Sequence, residues 1–147
     1  MGEFEAEFPD DRRYATNHMW AQPIKESDDD RIRFGFTAYA VRLLQDVYFL
    51  DWMLEAPTTL TDGQEIGSIE SKKAESSLYS PIDGSLLAFN EQLMEDPSAI
   101  NVDKYGGGWL FEMTGSIDSL MPAVDYVEML SDVWDKTQRT IKGQLNE

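Results

Sequence analysis

Two adjacent lysines, Lys72 and Lys73, stand at the centre of the run Gly63-Gln-Glu-Ile-Gly67-Ser-Ile-Glu70-Ser71-Lys72-Lys73-Ala74-Glu-Ser76-Ser77-Leu-Tyr-Ser-Pro81-Ile-Asp-Gly84. Gly63 lies ten residues before Lys73 and Gly84 eleven after it, so the stretch is nearly symmetric about its lysines. The chemistry open to such a lysine is that of a covalent tether. A tether of this kind must reach a modifying enzyme first and several active sites later, and only an exposed corner allows that. Two strands that bend back at glycines would present the lysines at a protruding hairpin tip. Spacing alone leaves open the commoner meaning of a lysine pair, a solvated polar loop. Turn chemistry does not decide it, because Lys72-Lys73 lacks the Asn-Gly or Asp-Gly preference of a tight two-residue hairpin.

Composition removes most other chemistries. The 147 residues include no Cys and a single His, His18, so disulfide scaffolds, thiolate zinc sites, cysteine nucleophiles and multi-histidine metal centres are excluded. His18, beside Trp20, is expected to be a hydrogen-bonded structural residue, and Tyr39, Tyr79 and Trp109 to pack against the strands; none is assigned a chemical step. The formal net charge is −16, divided as −6 over residues 1–30, −7 over 31–116 and −3 over 117–147, so acidity belongs to the whole surface. That charge argues against nucleic acid or an anionic membrane as partner, since binding there depends on Lys and Arg neutralising phosphate. No apolar run approaches the roughly 20 residues of a membrane helix, and MGEFEAEFPDD lacks the pattern of a signal or transit peptide. A soluble cytoplasmic protein is expected.

The elements that would position the lysines are short. Arg31 to Phe36, Asp46 to Met53, Glu65 to Ser71, Leu78 to Ile82, Ser85 to Asn90 and Trp109 to Met113 are rich in Ile, Val, Leu, Phe or Tyr and are bounded by Gly and Pro, which predicts strands. Thr37 can cap a helix over Ala38 to Gln45, and Asp96-Pro97-Ser98 can open a short turn through Asn101. Leu120, Val124, Val127, Leu130, Trp134, Ile141 and Leu145 recur at helical spacing opposite Asp125, Glu128, Asp132, Asp135 and Lys136, which predicts a C-terminal helix docked by one apolar stripe. The expected fold is mainly β with short helices. The expected organisation is an N-terminal extension over 1–13, a β domain over 14–116 that bears the lysines, and a helix over 117–147 docked on that domain.

Beyond spacing, ordered motifs resemble one family. They are His18-Met19-Trp20, Gly35-Phe36-Thr37-Ala38-Tyr39-Ala40, Asp46-Val47-Tyr48-Phe49-Leu50, Gly67-Ser68-Ile69-Glu70-Ser71-Lys72-Lys73-Ala74, Tyr79-Ser80-Pro81-Ile82-Asp83-Gly84, Asn90-Glu91 and Tyr105-Gly106-Gly107-Gly108-Trp109-Leu110. Over about residues 14 to 130 the chain resembles the glycine cleavage system H proteins, carriers of lipoic acid on a lysine. The resemblance implies a barrel-sandwich hybrid with the modified lysine on a hairpin turn. The family pattern ES-x-KA implies lipoic acid as a covalent amide on Lys73, with Glu70, Ser71 and Ala74 recognised during modification and Lys72 at the variable position. It further implies a non-catalytic carrier visited by a lipoate-attaching enzyme, a glycine decarboxylase, a folate-dependent aminomethyltransferase and a dihydrolipoyl dehydrogenase.

The resemblance also implies a surface cleft sheltering the arm, placed at Met19, Ala38, Tyr39, Ser76 and Ser77. Carboxylates expected there are altered: Met19, Ala38 and the pair Ser76-Ser77 stand in their places. Lys104 stands where the family usually has Pro, Gln45 replaces a Gly before Asp46, and the chain runs on past about residue 130. These departures keep open a lipoate carrier recruited to sulfur cargo, resembling the lipoate-binding proteins of heterodisulfide-reductase-like sulfur oxidation, with sulfur-oxidation enzymes as partners. Biotin carriers share the hairpin architecture, but their lysine normally lies between methionines, and here its neighbours are Lys72 and Ala74.

Overall fold

The computed structural model describes residues 8–24, 30–73 and 75–132. Over these residues the order is β1 (Arg13–Tyr14), β2 (Met19–Pro23), β3 (Arg31–Phe36), α1 (Ala38–Leu44), β4 (Val47–Trp52), β5 (Thr58–Leu60), β6 (Glu65–Ser71), β7 (Glu75–Tyr79), β8 (Gly84–Phe89), α2 (Gln92–Glu95), α3 (Ala99–Val102), β9 (Phe111–Gly115) and β10 (Met121–Pro122). A final helix, α4, covers residues 123–132. A seven-stranded sheet runs β10-β1-β2-β3-β9-β8-β5 and a three-stranded sheet runs β4-β6-β7, the barrel-sandwich hybrid that the resemblance implies.

The core lies between the two sheets. Leu50, Ile66, Ile69 and Leu78 from the small sheet join Phe34, Leu86, Phe111 and Met113 from the large one. Trp52 of β4 crosses the gap, stacking on Phe89 of β8 at 4.5 Å between centroids and meeting Phe111 of β9 edge-on at 6.0 Å. A register shift between Glu65 and Gly67 breaks strict alternation, so that Ile66 and Gly67 are both buried before alternation resumes at Ile69.

A second cluster joins the N-terminal strands to α4. Tyr14, Trp20, Ala123, Tyr126 and Leu130 are buried together, with Tyr14 stacked on Tyr126 at 4.9 Å. Trp20 lies over Gly35, where any Cβ would come within 2.5 Å of the indole ring, and its Nε1–H donates to the Lys104 carbonyl.

Several predicted elements are corrected. The strand expected over Leu78 to Ile82 is Glu75–Tyr79, because the polar residues before Leu78 pair with β6 while Pro81, without an N–H, cannot continue the ladder. The strand expected from Trp109 begins at Phe111. β1, β2, β5, β10 and α2 were not predicted; the first, third and fourth are too short to show a period. The C-terminal helix begins at residue 123, since Met121 and Pro122 pair with β1. Its buried face is Ala123, Tyr126 and Leu130, leaving Val124 and Val127 exposed, so the stripe is rotated from the one expected. The aromatic payload of Tyr126 outweighs the two valines. Trp134, Asp135, Lys136, Ile141 and Leu145 lie outside the described residues.

Candidate functional site

β6 and β7 form a hairpin with Glu70 opposite Glu75, so Lys72 and Lys73 occupy its tip and both are exposed. The tip is held from within. Lys72 N–H donates to the Asp46 carbonyl at 2.8 Å, and Lys73 N–H donates to the Ser71 hydroxyl at 3.3 Å. Ser71, buried at 8% exposure, thus shapes the turn that presents the lysines, whereas Glu70 is exposed between Phe49 and Glu75 on the outer face of the small sheet. Ala74 lies outside the described residues.

The base of the hairpin is fastened by backbone. Gly63 adopts a φ of 82°, in the region that favours glycine, and its N–H donates to the Ser80 carbonyl at 2.9 Å. Ser80 N–H in turn donates to the Gln64 carbonyl, and the Ser80 hydroxyl donates to the Ile82 carbonyl at 2.7 Å. The glycine at the entry to the symmetric run therefore does what the spacing implied, bending the chain where β6 begins.

Beside the hairpin lies an open cleft of about 260 Å³. Its walls are β7 (Ser76, Ser77, Leu78, Tyr79), α1 (Ala40, Leu43, Leu44) and the turn between β1 and β2 with the first residue of β2 (Asn17, His18, Met19), and Phe36 and Ile69 complete it. Met19, Ser76 and Ser77 line this cleft together. Ala38 and Tyr39 do not line it: Ala38 is buried at the start of α1, and Tyr39 packs on His18 at 4.8 Å between centroids. The lining holds no Asp, Glu, Lys or Arg.

The elements around the cleft are set by local chemistry. Thr37 caps α1, its hydroxyl accepting from Ala40 N–H at 3.3 Å, and the Tyr105 hydroxyl accepts from Ala38 N–H at 3.0 Å. Leu43 then projects from α1 at 55% exposure, an apolar residue left uncovered at the cleft. His18 has a φ of 67°, which turns its ring toward α4; its Nδ1 shares a 2.8 Å hydrogen bond with the Tyr126 hydroxyl. Burial lowers the His18 pKa from its ordinary value and raises that of Tyr126, so both groups are neutral near pH 7.

Asn17, Leu43, Leu44, Tyr79 and Tyr126 were not singled out from sequence as cleft or site residues. One signal was present: α1 carries apolar residues on two faces, more than docking on the core needs. Among the described residues no group of three His, Cys, Asp or Glu side chains could hold a metal ion, and no helix is long and apolar enough to cross a membrane.

A family model described as "Glycine cleavage H-protein" matches residues 12–133. A glycine cleavage system H protein of Shewanella frigidimarina is 35% identical over 128 residues, covering 84% of this chain and 96% of that one. A probable glycine cleavage system H protein of Natronomonas pharaonis is 40% identical over 121 residues, covering 80% and 92%. The crystal structure of a glycine cleavage system H protein from Mycobacterium marinum superposes with a TM-score of 0.74 at 31% identity, covering 84% of this chain and 99% of that one.

Proposed function

The chain belongs to the glycine cleavage H-protein family, and from that membership we propose that Lys73 is its point of lipoyl attachment and that the cleft beside β7 receives the arm. The protein is a non-catalytic lipoyl carrier of the glycine cleavage system and works with that system's enzymes. Lipoic acid supplies the sulfur on which an aminomethyl group passes from one enzyme to the next. Holding, presenting and sheltering that group is the work of this chain's own residues.

The observation that carries the reading is Lys73 exposed at the tip of a hairpin whose strand β7 lines an apolar cleft. At about 3.3 Å per strand residue, β7 runs only roughly 13 Å from Glu75, beside the tip, to Tyr79, within the span of a long acyl-lysine. Ser71 fixes the turn, and exposed Glu70 offers a charge for the attaching enzyme to read. Met19, Leu43 and Leu44 exclude water from whatever enters, while Asn17, Ser76 and Ser77 offer neutral hydrogen-bonding groups. Tethering raises the local concentration of the arm's end at each partner. The lipoate-attaching enzyme, glycine decarboxylase, folate-dependent aminomethyltransferase and dihydrolipoyl dehydrogenase are the partners of this reading, and the cytoplasm its setting. The relatives give no support to the sulfur-cargo alternative.

Intact mass after incubation with lipoate and a lipoate-attaching enzyme tests the site. The wild type and Lys72→Arg gain one lipoyl group and Lys73→Arg gains none; an adduct retained in Lys73→Arg refutes the assignment. Glycine-dependent carbon dioxide exchange with a glycine decarboxylase then tests the cargo, and exchange by the lipoylated form is the expected result.

A further inference from the structure

The Tyr126 hydroxyl lies 2.8 Å from His18 Nδ1 and 2.9 Å from Thr37 Oγ1. These partners belong to two different elements that border the cleft. His18 lines it directly from the β1–β2 turn, and Thr37 is the N-cap of α1, whose Ala40, Leu43 and Leu44 line it as well. Tyr126 itself is not in the cleft; it comes from α4, is completely buried, and is held by stacking on Tyr14 at 4.9 Å. One polar atom of the C-terminal helix therefore bridges two elements that are also tied through backbone, where Thr37 N–H donates to the His18 carbonyl.

We propose that Tyr126 is a positioning residue for the arm cleft, its hydroxyl fixing the β1–β2 turn relative to α1, so that docking of α4 and docking of the arm are coupled. The inference rests on the reading that the arm of Lys73 uses this cleft. Coupling of this kind is reciprocal: an arm seated in the cleft holds α4 down, and displacement of α4 by a visiting protein loosens the cleft. The surface a visitor would meet on α4 carries Val124 and Val127, both exposed, among Asp125, Glu128 and Asp132.

The test uses the full chain, with and without lipoate on the lysine. Methyl NMR of Met19, at the cleft, reads arm docking. Hydrogen exchange over residues 123–132 reads α4. In the wild type, lipoylation shifts the Met19 methyl and slows exchange in α4. Tyr126→Phe keeps the ring stack and folds but loses both hydrogen bonds of the hydroxyl; the docked-to-undocked ratio read from its attachment-dependent Met19 shift falls about fivefold or more, and lipoylation no longer slows exchange in α4. Thr37→Val behaves as Tyr126→Phe does, whereas Thr37→Ser, which keeps the hydroxyl, restores both responses. The His18 ring nitrogen signals move in Tyr126→Phe, a change that a purely packing role would not produce. A full Met19 shift in Tyr126→Phe or Thr37→Val overturns the coupling and leaves the cleft reading intact. No attachment-dependent shift in the wild type overturns the cleft reading, and the coupling with it.

Discussion

Gln45 shows how a single residue can carry strain at the edge of the site. It closes α1 with a φ of 59° and a ψ of −138°, a conformation that L side chains rarely adopt. Neighbours hold it there: its N–H donates to the Val41 carbonyl at 2.9 Å, and Asn101 of α3 donates to its carbonyl at 2.6 Å while accepting from Val47 N–H at 3.0 Å. The family resemblance implies Gly at this position, and the geometry supplies a reason for one. Gln45→Gly is expected to stabilise the fold by about 1 kcal/mol, the strain relieved less the added entropy of the unfolded chain, measured by chemical denaturation. His18 gives a second residue-level expectation. Burial depresses its pKa below 6.5 in the folded protein, so the fold favours the neutral ring. Its contribution to stability is complete above the unfolded pKa and is lost as pH falls through the lower folded value. Thermal stability should therefore decline below about pH 6.5, and His18→Gln should remove that part of the decline.

At the scale of elements, β3 and β9 are joined by side chains as well as by their ladder. Glu112, with its side chain 7% exposed, accepts from Arg33 Nε at 3.0 Å and Nη2 at 2.8 Å and from Arg31 Nη1 at 3.1 Å. Arg33 also lies over the Trp109 ring at 4.5 Å. The arginines stay partly solvated, so losing the carboxylate strands less charge than in a fully buried pair. Glu112→Ala is expected to cost about 2 kcal/mol in equilibrium unfolding, with Glu112→Gln recovering part of it. α4 is held differently, by apolar burial. Leu130 is fully buried there, and Leu130→Ala should cost about 3 kcal/mol, appearing as faster hydrogen exchange in residues 123–132 if the helix opens separately from the sheets.

For the whole molecule, charge is the dominant global feature. A net −16 on 147 residues places like charges across the surface, and self-repulsion in the compact state opposes folding. Added salt shortens the screening distance from about 10 Å at 0.1 M to about 3 Å at 1 M, so the thermal midpoint should rise with sodium chloride over that range. A midpoint that falls would show that ion pairs outweigh the repulsion.

What the sequence determined by itself was whatever local pattern or ordered motif can express. The glycine-bounded hairpin, the Thr37 cap, the strands over Arg31–Phe36 and Glu65–Ser71, and the family resemblance all rest on neighbours in the chain. The two-residue strands β1 and β10 were invisible because they exist only through pairing with each other and with β2. The face of α4 differs from the expected one because Val124 and Val127 have the right spacing, whereas the ring of Tyr14 and the polar groups of His18 and Thr37, distant in the chain, turn Tyr126 inward. The cleft was the clearest case of tertiary decision. Residues near 18, 43 and 77 have no sequence relation, and Ala38 and Tyr39, adjacent to a wall in the chain, face elsewhere because a helix turns successive side chains by about 100°. A hairpin tip can be legible in a linear pattern; a cavity is a property of the surfaces that meet around it.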